Sequence, residues 1–144
     1  MIALGADHGG YELKEAIKKH LEEKGIEYKD CGTYSPESVD YAAIAQKTCL
    51  SVTSGECKRA ILCCGTGIGM SMAANKHKGI RAAACSDTFS ARFTRMHNNA
   101  NVLCLGGRVV GPGLALKIVD TFLDTPFSNE ERHIRRVAKL NAEI

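Results

Sequence analysis

The sequence predicts a three-layer α/β fold: a five-stranded parallel sheet, doubly wound, with helices on both faces. Two observations predict it. Short apolar runs alternate with amphipathic stretches from one end of the chain to the other. The third of those runs, Ala60 to Cys64, is apolar throughout, as a strand covered on both faces should be. The 144 residues suit one domain spanning 1–144 around a single core.

The elements follow in order. Ile2 to Ala6 reads as a buried strand. Tyr11 to Lys24 places Leu13, Ile17 and Leu21 on one helical face, and Gly25 stops the helix. Ile26 to Asp30 is a second strand, followed by a loop through Gly32 and Pro36. Tyr41 to Val52 is a helix with Ile44, Ala45, Thr48 and Val52 inward. The Ala60–Cys64 strand leads into a glycine loop and a helix reaching about Lys76. Ile80 to Cys85 is the fourth strand, Asp87 to His97 a helix, and Val102 to Leu105 the fifth strand. Gly111 to Leu123 and Glu130 to Ile144 are the last helices, with a break at Pro126. On the final helix Ile134 and Val137–Ala138 form an apolar stripe, which suits packing on a second subunit.

Composition excludes several function classes. Nineteen basic against 16 acidic residues leave a net charge of +3, too small to imply nucleic acid but compatible with a small anionic substrate. No stretch is long and apolar enough for a membrane span, and the first residues lack a basic leader. The seven cysteines are odd in number and contain no C-x-x-C pair, so a reducing cytoplasm is expected rather than a disulfide framework. The five histidines show no ligand spacing; neither a metal nor another cofactor is expected.

Doubly wound sheets bind ligands at the carboxyl ends of their strands. That rule selects Asp7, His8, Gly9 and Gly10 after the first strand, and Cys64 with Gly65–Ser71 after the third. Ser86 and Asp87 follow the fourth strand, and Gly106, Gly107 and Arg108 the fifth. Gly65, Gly67 and Gly69 let successive N–H groups turn toward one anion at a helix start, a phosphate or a developing oxyanion. A nucleotide site is the rival reading, with Asp87 as the ribose contact. Against it, Met70 stands where the dinucleotide fingerprint needs glycine. Cys64 beside this loop is suited to act as nucleophile or base, while Cys63 should face the opposite side of the sheet. Asp7 can orient His8. His97 opens a polar run, Asn98, Asn99 and Asn101, that local order does not place at this edge. Arg132 and Arg136 share one helical face and can clamp a phosphate.

Together these motifs resemble type B ribose-5-phosphate isomerase. The resemblance rests on Asp7-His8-Gly9-Gly10, Gly32-Thr33-Tyr34, Val39-Asp40-Tyr41, Cys64 through Ser71, Ala73-Ala74-Asn75-Lys76, Gly79-Ile80-Arg81-Ala82, His97 through Asn101, Gly106-Gly107-Arg108, and Arg132-His133 with Arg136. It implies a flavodoxin-like or Rossmann-like sheet, and a homodimer with shared active sites, or a dimer of dimers, joined in part by the C-terminal helix. It implies metal-free interconversion of ribose 5-phosphate and ribulose 5-phosphate, with hexose 6-phosphates (allose or galactose 6-phosphate) as the alternative substrates. By the same resemblance Cys64 is the base, and His97 with Asp7 opens the sugar ring. The loop Gly65, Thr66, Gly67, Ile68, Gly69 and Ser71 holds the intermediate's oxygen. His8, Arg108, Arg132 and Arg136 bind the phosphate, Tyr41 and Asn98 the sugar, and His133 is a further substrate contact. Two positions depart from the family's usual pattern: Ala42 after Tyr41, and Glu130–Glu131 before Arg132.

Overall fold

Ile2–Ala6 (β1) organises the sheet, because both of its neighbours come from later in the chain. A computed structural model describes residues 1–142 and places β1 between Tyr28–Asp30 (β2) and Arg59–Cys64 (β3). Beyond β3 come Val102–Gly106 (β5) and, at the edge, Ala82–Ala84 (β4), all parallel. The strand order is thus β2-β1-β3-β5-β4. The doubly wound class holds, but the last two strands exchange places relative to the flavodoxin order.

Right-handed crossovers then dictate which helix covers which face. Tyr11–Glu23 (α1), Thr88–Asn98 (α4) and Pro112–Asp124 (α5) share one face, where Leu4, Ile61, Cys63, Leu103 and Leu105 meet Ile17, Ala91 and Phe122. Tyr41–Thr53 (α2) and Ile68–Ala74 (α3) cover the other, where Ala3, Leu62, Cys64 and Cys104 meet Ala45, Met70 and Ala74. Successive strand residues alternate between these two cores, so Cys63 and Cys64 face opposite sides as expected. Glu131–Asn141 (α6) packs on α4.

Local chemistry explains most element ends. Gly25 follows α1 at φ 69°, a conformation open to glycine. Asp87 caps α4: one carboxylate oxygen accepts the Ser90 N–H at 2.6 Å and the other the Ser90 hydroxyl at 2.9 Å. That cap gives Asp87 a structural task and removes the support for a ribose contact. Asn75 exchanges two hydrogen bonds with the Ala82 backbone, and Asn101 bonds Arg81 N–H and the Gly79 carbonyl. These two side chains staple the short edge strand in place.

Three expectations are corrected. The fourth strand spans three residues rather than Ile80–Cys85, because Asn101 and Asn75 side chains take the flanking backbone positions. The third helix ends at Ala74, short of Lys76. On α6 the inward residues are His133 and Val137, while Ile134 is half exposed. A polar ring faces inward there because its contacts are another ring, from α4, and a serine hydroxyl, not an apolar wall. The expected end of this helix at Ile144 lies outside the described residues.

Candidate functional site

The floor of the site is backbone. The loops after β1, β3 and β5 approach so closely that side chains do not fit between them. A Cβ on Gly9 would come within 2.9 Å of the Gly65 nitrogen, and one on Gly106 within 2.7 Å of the Thr66 carbonyl. Gly67, at φ 81°, turns the β3 loop into α3. Crosslinks tie the loops after β3 and β5 together: Gly107 N–H to the Cys64 carbonyl at 2.8 Å, and Arg108 N–H to the Gly65 carbonyl at 3.0 Å.

Cys64 ends β3 on this floor. Its Sγ accepts the Gly67 N–H at 3.0 Å. Its neighbour Cys63 lies inside the opposite core, where burial pushes its thiol far up. Thr66 is exposed and its Oγ1 accepts the Ile68 N–H at 3.2 Å; Ser71 Oγ donates to the Ile68 carbonyl at 2.8 Å. Among the described residues the N–H groups of Gly69 and Met70 have no backbone or side-chain acceptor. They are the unpaired donors of a helix start. The Tyr41 ring lies over Gly69, where a Cβ would stand 3.1 Å from its Cζ, closer than ordinary van der Waals contact. The Arg108 guanidinium lies beside Gly65.

Asp7 is buried and its Oδ1 accepts the Gly9 and Gly10 N–H groups at 2.9 and 3.2 Å. It therefore braces its own turn and does not orient His8, correcting that expectation. His8 is oriented instead by Val39, whose N–H reaches Nδ1 at 3.3 Å. A ring that accepts at Nδ1 carries its proton on Nε2, leaving a donor toward solvent.

The remaining predicted residues form a second cluster. The His97 ring stacks between Phe93, at 5.0 Å, and His133, at 4.3 Å between centroids. His133 Nδ1 pairs with Ser128 Oγ at 2.5 Å. Desolvation, then the charges of His97 and Arg132, hold His133 below the ordinary histidine value. Asn98, Arg132 and Arg136 are exposed beside this stack, and Arg132 pairs with Glu130 at 2.8 Å. Asn99 instead ends α4 at φ 47°, its Oδ1 accepting from the Arg95 guanidinium at 3.0 Å, while the Asn101 side chain serves the backbone. Phe93 and Ser128 escaped the sequence reading, although Phe89, Phe93 and His97 recur every four residues on α4.

The two clusters lie toward opposite ends of the strands. The Asn101 carbonyl accepts the Ala60 N–H at 3.0 Å, so the chain leaves α4 at the amino end of β3. Cys64 is four residues further along that strand, about 13 Å away at ~3.3 Å per residue. Within one chain the structure gathers Asp7, His8, Tyr41, Cys64, the glycine loop and Arg108, and separately His97, Asn98, Arg132, His133 and Arg136.

Comparison with known proteins decides the family. The model of the Ribose/Galactose Isomerase family matches residues 2–140. The chain belongs to the ribose/galactose isomerase family. It is 48% identical over 141 residues to ribose-5-phosphate isomerase B of Escherichia coli, covering 98% of this chain and 94% of that one. It is 45% identical to D-erythrulose-4-phosphate isomerase of Pectobacterium atrosepticum, over 88% of this chain and 84% of the relative. The solved ribose 5-phosphate isomerase of Thermotoga maritima superposes with a TM-score of 0.95 at 54% identity, covering 97% of this chain and 96% of its own. The exchanged order of β5 and β4 therefore belongs to an isomerase of this family, and the chain is an isomerase by that membership. Among the described residues no helix is long and apolar enough to cross a membrane.

Proposed function

We propose that the chain, as one domain over 1–144, interconverts D-ribose 5-phosphate and D-ribulose 5-phosphate. The observation that carries the reading is Cys64 Sγ at the mouth of the glycine loop, 3.0 Å from the Gly67 N–H. A proton α to a carbonyl is weakly acidic, so its transfer needs a base and a stabilised oxyanion at one place. The thiolate of Cys64 removes the proton from C2 and returns it to C1, while the O2 proton passes to O1 in the enediolate. The unpaired N–H groups of Gly69 and Met70, with the rest of the Gly65–Ser71 loop, face the oxygen that becomes negative in between. Thr66 contacts the sugar, and Tyr41 flanks it.

Ring opening moves a proton from the C1 hydroxyl to the ring oxygen. We assign this to His97, which gives a proton to the ring oxygen, while the Asp7 carboxylate accepts the proton of the C1 hydroxyl. His8 Nε2–H and Arg108 hold the phosphate from the Cys64 side; Arg132, His133 and Arg136 hold it from the His97 side, where Asn98 meets the sugar. Because one chain keeps these groups toward opposite ends of the strands, the reading includes a homodimer in which each site takes one cluster from each subunit. The seven thiols, all unpaired and buried, suit the cytoplasm as its location.

The test is turnover of ribose 5-phosphate in the presence of a chelator, beside allose 6-phosphate and D-erythrulose 4-phosphate. The four-carbon sugar belongs in the set because a 45% identical relative bears its name. Fastest turnover of the pentose supports the reading. Turnover of another sugar alone overturns the substrate, and turnover of none overturns the activity.

A further inference from the structure

Lys14 is only 1% exposed, and the chemistry above gives it no task. It sits near the start of α1, with its ammonium donating to Asp30 Oδ1 at 2.6 Å and to the Thr33 carbonyl at 2.6 Å. The Tyr34 and Tyr11 rings flank it at 5.3 and 5.7 Å. A buried ammonium is costly, and an apolar side chain commonly serves stability as well. What a buried, directional cation does better is fix one conformation of the groups it binds. Asp30 does not depend on Lys14 alone, since Lys18 reaches its Oδ2 at 3.0 Å and the Gly32 N–H its Oδ1 at 2.9 Å. The distinctive contact is therefore the Thr33 carbonyl.

Thr33 begins a segment that runs to the site. Its N–H bonds the Ala6 carbonyl at 2.6 Å, one residue before Asp7. Further on, Val39 donates to His8 Nδ1, and Tyr41 lies over Gly69. We propose that Lys14 is a positioning residue: by anchoring the Thr33 carbonyl it holds residues 33–41 so that Val39 fixes His8 as the Nε2–H tautomer facing the substrate phosphate. This rests on the sugar-phosphate reading above for what His8 binds, but not for the link between Lys14 and His8.

The test is Lys14→Met in the full chain, read in two ways. The first is kinetic: KM for ribose 5-phosphate should rise roughly tenfold with kcat within about threefold. The double variant with His8→Ala should have the KM of His8→Ala alone, because both act through one ring. The second is the nitrogen-15 spectrum of the histidines, in which His8 should change from the Nε2–H form to a mixture. A lowered Tm with unchanged KM and an unchanged His8 signal overturns the proposal, as does additivity in the double variant. If Lys14→Met does not fold, Lys14→Gln, one atom too short for the Thr33 carbonyl, should show the same changes; wild-type values there overturn it. If the wild-type chain turns over no ribose 5-phosphate, the substrate reading fails while the His8 spectrum still decides the Lys14 link.

Discussion

Two inactive variants should restore each other. Cys64→Ala removes the proposed base and His97→Asn the proposed ring-opening imidazole; each alone should lower turnover of ring-closed ribose 5-phosphate by about 10²–10⁴. Direct proton transfer needs the group within about 3 Å of the proton it moves. Within one chain Cys64 lies about 13 Å along β3 from Ala60, which bonds Asn101 just past α4, so the two groups belong to different ends of the strands. In a dimer that pairs the Cys64 edge of one subunit with the His97 edge of its partner, a mixed dimer holds one intact site and one doubly altered site. Co-expressed in equal amounts, the variants form mixed dimers as about half of the population. The pool should therefore show about one quarter of wild-type activity. The assay is ribulose 5-phosphate formation by the co-purified pool, with the two homogeneous variants as controls. A pool no more active than the mean of its parents refutes the shared site and places both groups on one chain.

Gly10→Ala would put a Cβ 2.3 Å from the Cys63 carbonyl carbon, a clash with backbone that cannot move aside. The expected loss is about 1–3 kcal/mol, read as a lower Tm; an unchanged Tm contradicts the close packing of α1 on β3. Glu130→Ala frees Arg132 from its 2.8 Å partner. KM for the sugar phosphate should fall by up to about fivefold, the scale of an exposed pair worth less than 1 kcal/mol; an unchanged KM would separate Arg132 from the phosphate. Stability should also depend on acid. Burial alone would push Asp30 up, but hydrogen bonds from Lys14, the Gly32 N–H and Lys18 outweigh it, and the Ser90 N–H and hydroxyl lower Asp87. Carboxylates held below 3.8 stabilise the fold above that value and lose the contribution as pH falls through their folded values. Thermal unfolding should show a steady Tm near neutrality and a decline below about pH 4, shallower in Asp30→Asn, whereas a Tm independent of acid would contradict the sign.

The sequence made legible what depends on neighbours along the chain. Apolar periodicity located every strand and helix, and glycines at turns marked where the strand ends gather. Pairing between distant strands leaves no local trace, so the insertion of β5 between β3 and β4 could not be read. The Cys64 half of the site was visible because its residues directly follow strands. The His97 half was visible only as motif, since its position depends on α6 folding back onto α4. The inward turn of His133 was hidden for a related reason: hydropathy ranks Ile134 as the buried residue, whereas the ring of His97 and the Ser128 hydroxyl select a histidine. Asp7 shows the converse, a residue whose neighbour in sequence was not its partner in space.

The adjacent thiols show how this fold places two chemically identical groups in different surroundings. Cys63 and Cys64 have the same chemistry and almost the same depth in the sheet. Strand alternation sends Cys63 into a core that offers no donor, where burial disfavours its charged form. Cys64 is sent to the other face, where the chain turns directly above it and returns the Gly67 N–H to its sulfur. That turn requires φ 81° at Gly67, and its position is fixed because the Gly9, Gly65 and Gly106 backbones pack too tightly to slide. The N–H groups are therefore oriented before any substrate arrives, which is the condition under which donors lower a barrier instead of merely binding. Glycine in three separate loops and cysteine at one register position are thus parts of a single requirement: fixed backbone donors around a thiol that only the correct face of β3 can present.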